Sequence, residues 1–147
     1  MNGAHFHLIV NHISLFTSFF GLIALIWFFA RKSPEMLVAA CLLFVVTGAG
    51  AFLADESGEK AEHIVKELQL PGVEKAMIHT HEEAADYAVI NSYILAGLGV
   101  LILYFSKKHP NWVKRTTWLA LLFALMASTS MARTAYLGGL IRHTEIR

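Results

Sequence analysis

Four long apolar runs dominate this chain and leave few folds open to it. Ile13–Ala30, Met36–Ala54, Tyr87–Phe105 and Thr117–Ile141 are each 18 to 25 residues long. At 1.5 Å per residue such a run crosses a hydrocarbon layer about 30 Å thick. Inside lipid every backbone N–H and C=O must find a partner within the segment, so runs of this length are expected as helices. With polar residues at their mouths included, the spans are about 8–30, 36–54, 87–105 and 117–141. A hydrophobic fraction of 56% and a mean hydropathy of +0.53 over 147 residues fit one membrane domain and exceed what a soluble domain of this size carries. The expected architecture is an all-α four-helix transmembrane bundle occupying 1–147. The N-terminus lacks a basic n-region and a small-residue cleavage site, so the first run is expected to be retained as a helix. Cys41 is alone, which excludes an internal disulfide, and its apolar neighbours point to packing.

Charge suggests an orientation. The links "RKSPE" and "SKKHPNWVKR" hold six basic residues and a single acid, Glu35, whereas ten of the eleven acids belong to the other side. Short basic loops stay in the cytoplasm. Both termini and the long 55–86 connection are therefore expected outside, which in a bacterial inner membrane is the periplasm. Within that connection "GEKAEHIVKELQL" and "VEKAMIHTHEEAADYA" have helical periodicity around Pro71-Gly72. Helices 2 and 3 are expected to extend past the membrane as a hairpin. No repeat or low-complexity segment is evident.

The histidines are just as unevenly placed. Seven of the eight (His5, His7, His12, His63, His79, His81 and His143) fall on the expected outer side. Counted from the basic boundary, His7, His81 and His143 lie at one level and His12 one to two turns deeper. The 3.6-residue period puts His81 on a stripe with Val73, Met77, Ala84, Ala88 and Asn91, facing inward. Arg133, Tyr136, Leu140 and His143 line up on helix 4. A charge within a span is expected to face the bundle interior, which would turn His143 inward too. His12 sits about 140° from His7 and shares a face with Phe16, Phe19 and Ile23, either a lipid-facing stripe or the wall of a flat cofactor. His79 and His63 lie among carboxylates on polar faces.

Neutral imidazole ligates haem iron, copper, zinc and nickel. Bis-imidazole ligation of a b-type haem inside a four-helix bundle needs no carboxylate, and Arg133, Arg142 or Tyr136 could hold its propionates. A non-haem copper, iron or zinc site would join His7, His12, His81 and His143 to Glu82, or to Glu59 or Glu62. No E-x-x-H or H-E-x-x-H template is present to support that alternative. In a third reading the histidines cap helices in a cofactor-free subunit of a larger membrane complex. There is no Gly-rich phosphate loop and no G-x-S-x-G, and nothing suggests a nucleic-acid partner.

The pattern "HLIVNH" (His7 to His12), an inward histidine opening span 3, and "YLGGLIRHTEI" closing span 4 resemble a bacterial family of short four-span membrane proteins. Relatives in that family occur fused to cytochrome c or Rieske-type domains. The resemblance covers nearly the whole chain. It implies an electron-transfer setting and points to His7, His12, His81 and His143, with Gly138 and Gly139 in the closing motif. The chain lacks the proline that follows the first family histidine and the Phe-Pro that follows the second. The resulting expectation is a haem b protein near the outer membrane surface, with a lipid bilayer around it, a periplasmic or membrane redox partner, and room for homo-oligomerisation.

Overall fold

A computed structural model describes residues 3–68, 73–106 and 109–143; no side-chain position is assigned to Pro110 or Arg142. The described residues form four helices: α1 (Gly3–Arg31), α2 (Pro34–Leu68), α3 (Lys75–Phe105) and α4 (Pro110–Arg142). All four are long and apolar enough to cross a membrane. Each packs on its sequence neighbour, and α1 packs on α4, closing an up-down-up-down ring in which α1 and α3 lie diagonally. α2 and α3 run well past their apolar stretches, as the hairpin expectation requires. Residues 69–72, where the sequence places a turn at Pro71-Gly72, lie outside the described residues.

Local chemistry sets the helix ends. α1 stops where Lys32 takes a left-handed φ of 54° and its N–H donates back to the Phe28 carbonyl. Lysine bears a cost of about 1 kcal/mol there, and the gain is a two-residue reversal into α2. Ser33 opens α2 by accepting from the Met36 N–H and donating to the Glu35 carboxylate, with Pro34 at the first helical position.

Small residues bring the helices close, as membrane helices require. A Cβ on Gly21 would lie 2.6 Å from the Phe44 ring, and one on Gly99 would lie 3.0 Å from the Cys41 carbonyl. Phe44, Leu25, Cys41, Leu95 and Ile102 form the core of the half nearer the short links. Buried hydroxyls of Ser14, Thr47, Ser92, Thr117 and Thr134 donate to carbonyls one turn back, so they enter the core without stranded donors.

The burial pattern repeats, which corrects the sequence expectation. A shift of 74 positions, the spacing of His7 and His81, carries Val10, Ser14, Ser18, Gly21, Ala24 and Leu25 of α1 onto Ala84, Ala88, Ser92, Leu95, Leu98 and Gly99 of α3, all buried. A shift of 80, the spacing of Gly58 and Gly138, carries Ala40, Phe44, Thr47, Gly48, Ala51 and Ala54 of α2 onto Ala120, Ala124, Ala127, Ser128, Met131 and Thr134 of α4, again all buried. The bundle is two like hairpins, α1–α2 and α3–α4. The same shifts pair His5 with His79, His7 with His81, and His63 with His143.

Candidate cofactor site

The two hairpins build the same histidine device. α1 already runs as a regular helix at His7, and the ring reaches across to α2. There its Nδ1 lies 2.9 Å from the Ala54 carbonyl and 3.2 Å from Ser57 Oγ. Its Cε1 lies 3.8 Å from where a Cβ on Gly58 would stand. On α3, His81 reaches across to α4. Its Nδ1 lies 3.0 Å from the Thr134 carbonyl, and its Cε1 3.0 Å from a Cβ built on Gly138. In each hairpin the accepting carbonyl is four residues before the glycine under the ring. Gly138 makes room for the His81 ring, whereas at Gly58 the His7 ring stands at an ordinary contact distance.

Those contacts select a tautomer. A carbonyl only accepts, so Nδ1 of each ring carries the proton and donates it. Nε2 is left with its lone pair, the arrangement that second-shell hydrogen bonds impose on metal-bound histidine. Burial pushes the pKa of both rings below the ordinary imidazole range against the opposing pull of the carbonyls. Were His7 to take up a proton, its charge would lower His81 further. Two neutral imidazoles on diagonal helices, each with a proton-free Nε2, therefore stand at the end of the bundle that carries the chain termini.

The remaining candidates lie elsewhere. His12 is exposed; it shares an outward stripe with Phe16 and Phe20, and its Nδ1 lies 2.6 Å from the Leu8 carbonyl of its own helix. Arg133 and Tyr136 are exposed, Tyr136 at 64%, contrary to the inward facing expected of them. The buried stripe of α4 is Ala127, Met131, Thr134 and Ile141, and Arg133 sits one residue, about 100°, to its side. His143 is exposed as the extended residue that caps the helix end, where its backbone N–H donates to the Gly139 carbonyl. That also corrects its expected inward facing. The Arg142 side chain lies outside the described set.

Glu82 belongs to a surface group between α2 and α3. Desolvation first, then the neighbouring Glu62 carboxylate, raises its pKa, and Lys66 pairs with Glu62. Among the described residues no three His, Cys, Asp or Glu side chains converge as metal ligands.

Sequence reasoning missed Ala54, Ser57, Gly58 and Thr134, which seat the two rings. A signal was present. "HFH" at 5–7 and "HTH" at 79–81 each carry H-x-H, and both Gly58–His63 and Gly138–His143 read G-x-x-x-x-H. Comparison with protein-family models, curated proteins and solved structures finds no match for the chain.

Proposed function

We propose that this protein is a b-type cytochrome-like electron-transfer protein of the bacterial cytoplasmic membrane, in which His7 and His81 would hold the haem and both termini are on the outer side. One observation carries the proposal: the site offers two matched imidazole lone pairs and, among the described residues, no third donor. A haem brings four equatorial nitrogens and asks the protein for two ligands, whereas zinc, copper(II) and non-haem iron sites usually draw three or more donors from the protein. When bound, such a group cycles between ferric and ferrous iron. The chain's own part is to aim each Nε2 through the Nδ1–H bond, to keep the rings neutral by burial, and to leave Gly138 without a side chain that would displace His81. The proposal narrows the sequence-based ligand set to one pair and leaves His12 and His143 outside it.

The test is the absorption spectrum of purified protein, oxidised and dithionite-reduced, with metal analysis on the same sample. A Soret band with sharp reduced α and β bands is expected, lost or converted to a five-coordinate form by His7→Ala or His81→Ala and unchanged by His12→Ala or His143→Ala. A colourless protein from a haem-replete host refutes the proposal. So does an unaltered spectrum in either of the first two variants.

A further inference from the structure

The two hairpins differ most tellingly where α3 meets α4. A groove of about 320 Å³ runs there, lined by Ala84, Tyr87, Asn91, Met126, Thr129, Ser130 and Arg133. The like positions of the first hairpin hold Val10, Ile13, Thr17, Val46, Ala49, Gly50 and Leu53. There the seam is shut, since a Cβ on Gly50 would stand 2.5 Å from Ser14 Oγ, and Thr17 bonds Thr47 across it. The second hairpin has opened the same seam and placed polar groups along it.

Those groups are unmet. Among the described residues no carboxylate pairs with Arg133, and the Asn91 amide has no hydrogen-bond partner. Thr129 and Ser130 donate their hydroxyl protons to carbonyls of their own helix, so their oxygens face the groove only as acceptors. Polar side chains left without partners in a membrane span are costly and point to a ligand. Arg133 and Met126 are seven residues apart, so the groove extends about 10 Å along the bundle. Its Arg133 end lies beside Thr134, the residue that holds His81. Asn91 lies one turn inside span 3.

We infer that this groove binds the head group of a lipid-soluble quinone or quinol, entering from the bilayer beside the His81 end of the site. A flat ring with oxygens on opposite edges meets Arg133 at one edge and Asn91 at the other. The reduced form's O–H groups have Thr129 and Ser130 oxygens to donate to. A phospholipid phosphate would satisfy Arg133 but leave Asn91 facing hydrocarbon. The assignment of a quinone as redox substrate rests on the electron-transfer reading above; its binding does not.

The experiment uses the full chain in nanodiscs of phosphatidylcholine, photolabelled with an azido-ubiquinone and mapped by peptide mass spectrometry. Label is expected in the segments holding residues 84–91 and 126–133, and decylubiquinone should compete it away. Arg133→Leu and Asn91→Leu should each lower labelling roughly tenfold, the loss of one charged or buried hydrogen bond. Leucine already occupies the like position 53, so Arg133→Leu is expected to fold, which a melting curve checks. Label that maps elsewhere, survives both variants, or yields to phosphatidylglycerol but not to decylubiquinone overturns the inference. Spectra of the same samples separate the two proposals: labelled but colourless protein refutes the haem and upholds the groove, and coloured but unlabelled protein does the reverse.

Discussion

Gly58 and Gly138 occupy like places under His7 and His81, yet alanine should act differently at each. In a helix interior, glycine to alanine gains about 0.5–1 kcal/mol from backbone entropy. At Gly58 the new Cβ stands 3.8 Å from the nearest ring atom, an ordinary contact, so the gain should appear undiminished. At Gly138 it stands 3.0 Å from His81 Cε1 and 3.4 Å from Nδ1, so the ring must give by a few tenths of an ångström. That shift stretches the 3.0 Å bond to the Thr134 carbonyl, which is worth about 0.5–1.5 kcal/mol. The two variants should therefore differ by about 1 kcal/mol, or about 3 °C in Tm for a chain of this length. Cys41 supplies the assay. Fully buried and the sole cysteine, it reacts with a thiol-activated dye only once the bundle opens. Gly58→Ala should melt higher than the parent, and Gly138→Ala at or below it. Equal gains at both sites would refute the placement of His81 against α4.

Three further outcomes follow from the packing and the site. Because burial lowers the pKa of His7 and His81, the unfolded chain takes up protons near the ordinary imidazole value of about 6.5 while the folded chain does not; stability should hold above that pH and fall below it. Carboxylates add their own acid slope, so the check is Tm between pH 5 and 8 for parent and for His7→Gln/His81→Gln, whose slope should be shallower. Gly21→Ala forces a Cβ to within 2.6 Å of the buried Phe44 ring and should cost about 1–3 kcal/mol by dye melting, whereas Gly97→Ala meets nothing within 4 Å and should be neutral or stabilising. Native protein should leave Cys41 unmodified by a membrane-permeant maleimide, whereas a cysteine placed at the exposed Leu122 should react.

The spans were legible because a membrane imposes length and apolarity on every helix that crosses it, and the inward facing of His81 followed from period alone. Arg133 misled because the rule that charge within a span hides inside the bundle overlooks a groove on its surface, which also receives it. His143 was turned inward by the same step. The repeat went unread because few of its paired positions keep the same residue, and the second shift is six residues longer than the first. What the hairpins share is which positions are buried, a property that Ser14 and Ala88, or Phe44 and Ala124, satisfy with different side chains. The acceptors of the two rings were hard to read for a related reason: Ala54 and Thr134 offer backbone carbonyls, which every residue type supplies.

An assembly of two identical hairpins would have to present every surface twice, so any recess opened for a ligand would open on both sides and weaken both seams. Joining the halves in one chain lifts that constraint. One half can remain a tight wedge that sets the bundle's geometry while the other accumulates polar groups at the same positions. The contrast between Leu53 and Arg133, and between Gly50 and Ser130, is that division of labour within 147 residues.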